Sequence, residues 1–118
     1  MVAAVALLLL TTTTLVACGS GSSSSPSGTL ATKVIDITIN GSSIKPNGDR
    51  IPVSVGQRIE FDVTADAPGE IHVHSSPEQE FEYDKGSSTL EVKPITAPGI
   101  ITVESHTLNK VILQLEAK

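Results

Sequence analysis

From Lys33 onward, apolar residues recur at every second position in short runs cut by Gly, Pro, Asn and Asp, and this pattern restricts the fold more than any other property of the chain. The clearest run covers residues 58–64. Ile59, Phe61 and Val63 point one way, while Arg58, Glu60, Asp62 and Thr64 point the other. Ile35, Ile37 and Ile39 lead into the turn dipeptide Asn40-Gly41. Pro46-Asn47-Gly48-Asp49 precedes a run at 51–55 that ends at Gly56, and Ala67-Pro68-Gly69 precedes Ile71 and Val73, which alternate with His72 and His74. Phe81 and Tyr83 follow Pro77, and Leu90 and Val92 fall in a run at 87–93. Runs at 100–105 and 110–115 are spaced to pair as a hairpin through residues 106–109. No segment keeps helical spacing, and Gly or Pro recurs too often for long helices. Seven to eight short strands within residues 33–118 predict one all-β domain, a Greek-key β-sandwich.

The first 32 residues are of a different kind. Residues 1–17 hold no charged side chain, and the apolar run at 2–10 has the length of a signal-peptide core, too short to span a bilayer. Leu15-Val16-Ala17-Cys18, followed by Gly19-Ser20, resembles a bacterial lipobox, in which a signal peptidase cuts before the Cys and its thiol carries a diacylglycerol. The resemblance implies a lipoprotein signal peptide at 1–17 and lipidation of Cys18. As a thioether, Cys18 is unavailable as a disulfide partner, redox thiol or metal ligand; the other reading is an ordinary Cys. No Lys or Arg precedes the apolar run, so either the α-amino group alone serves or the true start lies upstream of Met1. Each buried methylene adds about 0.8 kcal/mol, so two or three acyl chains give durable anchoring where one is marginal. Gly, Ser and Pro dominate 19–32, which makes 18–32 a lipidated Cys and flexible tether. The expected location is the cell envelope, anchored by lipid on the extracytoplasmic face of the plasma membrane, or on the outer membrane of a Gram-negative cell.

With a net charge of −5, one Tyr, two Phe and no Trp, the chain lacks both the cations and the stacking surfaces that nucleic-acid binding requires. There is no G-x-S-x-G elbow, phosphate-binding Gly loop, H-E-x-x-H helix or C-x-x-C pair, and the chain is expected to be non-catalytic.

Val53-Ser54-Val55-Gly56 and the alternating run that follows, with Ala97-Pro98-Gly99 and its own alternating run, resemble the cupredoxin superfamily. His72-Val73-His74 and Glu104-Ser105-His106 are similar to the H-V-H and E-x-H strands of a group of bacterial cupredoxin-like lipoproteins. The resemblance spans residues 33–118 and implies a cupredoxin-like sandwich. It departs from the blue-copper pattern, because a type 1 centre uses two His, a Cys thiolate and usually an axial Met. By the resemblance, Glu104 stands where that Cys is expected, Cys18 belongs to the lipid and Met1 to the leader. Type 1 copper is therefore not expected.

His72 and His74 lie two apart in an extended run and project from one face, as do Glu104 and His106. Three imidazoles and a carboxylate suit Cu²⁺ or Zn²⁺ if the two strands lie side by side. Metal affinity at such a site is expected to fall as pH drops through about 6.5, since protonated imidazole cannot ligate. The other reading is a solvated polar face. Glu78, Glu80, Glu82 and Asp84 alternate with Gln79, Phe81 and Tyr83; such a ladder can attract cations or a basic partner, and the other reading is a charged, solvated edge strand that discourages aggregation. Two functions follow as expectations. One is a membrane-anchored lipoprotein whose non-blue-copper domain acts as a binding or interaction module for an unidentified protein. The alternative is a metal-handling protein that buffers or delivers Cu²⁺ or Zn²⁺ through His72, His74, Glu104 and His106.

Overall fold

A computed structural model describes residues 28–118; the leader at 1–17, Cys18 and most of the tether lie outside the described residues. Nine strands follow in order: β1 (Lys33–Asn40), β2 (Ser43–Lys45), β3 (Asp49–Val53), β4 (Ile59–Ala65), β5 (Gly69–Val73), β6 (Gln79–Tyr83), β7 (Gly86–Val92), β8 (Gly99–Ser105) and β9 (Lys110–Ala117). The count exceeds the seven to eight expected, and the three-residue β2 is too short for alternation to reveal.

The strands form two sheets, ordered β2-β1-β4-β7 and β3-β9-β8-β5-β6. The chain crosses between the sheets repeatedly, so β1 pairs with β4 and β3 with β9 in parallel, whereas the other pairs are antiparallel. The inward positions close the core. Ile35, Ile37, Ile39, Ile59, Phe61 and Val63 come from the first sheet; Ile71, Val73, Ile101, Val103, Leu113 and Leu115 come from the second. Phe61 is the largest side chain fully removed from water, and its burial contributes on the order of 2–3 kcal/mol.

One irregularity matters for what lies outside the core. Val103 pairs with Leu113 but Glu104 pairs with Val111, which leaves Ile112 as an extra residue in β9. Ile112 and Leu113 are consequently both buried, and the freed Ile112 carbonyl accepts the Gly48 N–H at 2.9 Å. Such bulges bend and twist a strand. This one sits beside the last residues of β8, just before His106.

The chain enters at one end of the sandwich. There Lys33 N–H donates to the Arg58 carbonyl at 2.8 Å and the Gln57 amide donates to the Ala31 carbonyl at 2.9 Å. β8 starts at the same end, where Gly99 faces Ala117, and finishes at Ser105. The β8–β9 turn, with His106, therefore stands at the end opposite the point of entry.

Candidate metal centre

Ile71 and Val73 of β5 face the core, so Glu70, His72 and His74 face outward from the second sheet. β5 is flanked by β6 and β8, and the register sets His72 between Glu80 and Glu104. On β8, Ile101, Val103 and Ser105 point inward, which turns Glu104 and His106 to the same outer face. The sandwich thus gathers imidazoles and carboxylates from three neighbouring strands and one turn.

These side chains divide into two adjoining clusters. In the first, one ligand atom each from Glu70, His72 and His106 lie within 4.8 Å of one another. Glu70 Oε1 is 3.5 Å from His72 Nε2 and 3.3 Å from His106 Nδ1, and Glu80 Oε1 approaches His72 Nε2 at 2.7 Å. The His72 and His106 rings meet edge to face with centroids 4.9 Å apart. In the second cluster, His74 lies between two carboxylates, with Nδ1 3.0 Å from Glu78 and Nε2 3.1 Å from Glu104. Hydrogen bonds that the protonated ring donates to the Glu104 carboxylate, and then to Glu78, raise the His74 pKa above its ordinary value. Both contacts are hydrogen bonds at once only when the ring carries two protons.

Of the residues singled out in the sequence, His72 and His106 come together at one point. His74 and Glu104 pair with each other one step along the sheet, their rings and carboxylates adjoining the first group without joining it. Cys18 lies outside the described residues. Sequence reasoning missed Glu70, although it shares the face of His72 at a spacing of two, the signal already applied to His72 and His74. The alternation suggests a solvated edge for Glu78 and Glu80. β6 is an edge strand, but its Glu80 turns toward His72 of β5, and Glu78, just before β6, meets His74, just after β5.

The local backbone is well tied. Glu70 N–H donates to Thr107 Oγ1 at 3.1 Å, and His106 N–H donates to the Glu70 carbonyl at 3.1 Å. Leu108 N–H donates to Ser105 Oγ at 3.2 Å, and Asn109 closes the turn at φ 50°, a conformation that Asn tolerates better than most residues. At Gly69, a Cβ would collide with the Tyr83 hydroxyl and Thr107 Oγ1, so this strand start accepts only glycine without rearrangement. Among the described residues, the four carboxylates of the two clusters pair with imidazoles and not with Lys or Arg. The surplus negative charge favours a cation.

The donor set is imidazole nitrogen and carboxylate oxygen. A type 1 copper centre needs a thiolate, and residues 28–118 contain neither Cys nor Met, so the residues present do not fit that group. They do suit borderline divalent ions such as Zn²⁺ and Cu²⁺, and Glu70, His72 and His106 form a group that can hold one.

No family model matches the chain, and no curated protein matches it. Solved structures do. A copper(I) amicyanin variant aligns with a TM-score of 0.54 at 11% identity, over 72% of this chain and 82% of that one. The purple cupredoxin of Nitrosopumilus maritimus aligns at 0.52 and 11% identity, over 73% and 99%. Reduced auracyanin of Roseiflexus castenholzii aligns at 0.51 and 12% identity, over 75% and 98%. Likeness at such identities is likeness of fold, and residues 28–118 form a nine-stranded β-sandwich with the cupredoxin fold.

Proposed function

We propose that the domain is a non-catalytic metal-handling module that holds Zn²⁺ or Cu²⁺ on the outer face of its second sheet. The observation that carries this reading is the convergence of Glu70, His72 and His106 within 4.8 Å. Glu80, beside the ligating nitrogen of His72, stands ready as a further oxygen donor. The copper held by amicyanin of the same fold supports the general chemistry, while the donors here are of a different kind. Isothermal titration with Zn²⁺ and with Cu²⁺ tests the reading: one ion per chain is expected, with binding lost in His72→Ala His106→Ala. Weak binding that the double substitution leaves unchanged defeats it.

In the cell, the proposal places this module on a lipid anchor at Cys18, outside the plasma membrane or on the outer membrane of a Gram-negative cell. The lipobox-like segment supports that placement. Within the sandwich, His106 stands at the end opposite the point where the chain enters. Cys18→Ser is expected to release the protein from the membrane fraction and abolish fatty-acid labelling.

A second reading, a protein-interaction module, is favoured by a groove of about 840 Å³ at the tether end, lined by Pro77, Pro94, Ala97, Pro98 and the exposed Ile100. An unfolding midpoint that does not respond to either metal would leave this reading standing.

A further inference from the structure

Resting on the metal reading above, we infer that the site gives up its ion by associative handover: an incoming metal acceptor coordinates first, and His106 is the protein ligand displaced.

The exposure of the three ligands is graded. The His72 side chain is 15% exposed, Glu70 36% and His106 67%. His72 and Glu70 belong to β5, which is hydrogen-bonded on both sides, while His106 belongs to a turn beyond the end of β8. The sheet would cover one side of a bound ion, and the exposed His106 side would face solvent. Three protein donors on one side would leave a tetrahedral sphere one donor short, and with Glu80 as a fourth an incoming donor would enter by expansion to five-coordination. An acceptor donor therefore reaches the metal before any protein ligand has left.

The exchange is a ligand substitution without change of oxidation state. A lone pair on an acceptor nitrogen or oxygen forms a bond to M²⁺. The His106 Nδ1–metal bond then breaks, and its electron pair stays on the imidazole. Glu70 and His72 follow as further acceptor donors arrive. The partner that fits is a metal acceptor presenting imidazole or carboxylate donors on a loop or terminus that can reach the exposed His106 at the end of the sandwich.

The test uses the full chain loaded with one Zn²⁺ and mixed in stopped flow with the chromophoric chelator 4-(2-pyridylazo)resorcinol at increasing concentration. The expected transfer rate rises in proportion to chelator concentration, with no plateau at a spontaneous dissociation rate. His106→Ala, loaded at higher Zn²⁺, is expected to transfer several-fold faster at each chelator concentration. A rate independent of chelator concentration overturns the handover, as does a His106→Ala chain that transfers at the parent rate. Failure of Zn²⁺ to load at all is a separate result that overturns the metal reading itself.

Discussion

Two clusters of the same residue types lie side by side on one sheet, and their geometries suit different cations. Around Glu70, nitrogens from two imidazoles converge on one carboxylate, leaving a point that a metal ion can fill. Around His74, two carboxylates face opposite nitrogens of a single ring, an arrangement that a proton satisfies and a single metal ion does not. Composition is not what separates them. The difference comes from which atoms the strand register turns toward one another: His106 arrives from a turn to meet Glu70, while Glu78 and Glu104 reach His74 from either side.

The largest expected difference between the two clusters is at the point where Glu70, His72 and His106 converge. His106→Ala is expected to lower Zn²⁺ affinity by more than about a hundredfold, the upper end of what outer partners of a ligand cost, whereas His74→Ala leaves it within about tenfold. Titration calorimetry on the two variants decides this, and equal losses would show that the clusters act as one.

Gly69→Ala acts through the fold. The added Cβ meets Tyr83 and Thr107, so overpacking of about 1–3 kcal/mol is expected in denaturant unfolding. Because Glu70 is the next residue, metal affinity should fall as well, while the titration of His74 stays as it was. NMR of the imidazole protons distinguishes the two effects.

Acidification is expected to move the clusters in opposite directions. Ligating imidazoles must be neutral, so metal affinity weakens as pH falls. His74, with its pKa raised in the folded state by Glu104 and Glu78, contributes stability that is fully present below the unfolded-state value of about 6.5. That contribution is lost as pH rises through the folded-state pKa. Glu104→Gln should return the His74 titration toward its ordinary range, and an unchanged midpoint would remove Glu104 as the main cause.

The smallest expected effect is that of Thr107→Val, which removes the acceptor of the Glu70 N–H. A loss of about 1 kcal/mol in stability is expected, with a few-fold loss of metal affinity if the turn then shifts. Unfolding and titration on the same preparation measure both.

Much of this architecture was legible in the chain. Alternation at Ile59, Phe61 and Val63 identified a half-buried strand, and the spacing of His72 and His74 put both on an outer face, because side-chain direction in a strand is a local property. The same spacing pointed to Glu70, which was overlooked. The bulge at Ile112 was not legible, since it depends on how β9 meets β8. Nor was the pairing of Glu80 with His72 and of Glu78 with His74, because a row of alternating carboxylates does not reveal its partners until the neighbouring strand is known.

By itself, then, the order of residues determined that the domain would be a β-sandwich, which side chains would leave the core, and that its donors would be nitrogen and oxygen, since residues 28–118 hold no Cys or Met. Tertiary structure alone decided that β5 lies between β6 and β8, that His106 meets Glu70, and that His74 is held apart between two carboxylates. The physical reason is that strand direction is set within a few residues. Strand neighbours and register are set by packing a whole core, which brings together side chains distant in sequence, 36 positions apart in the case of Glu70 and His106.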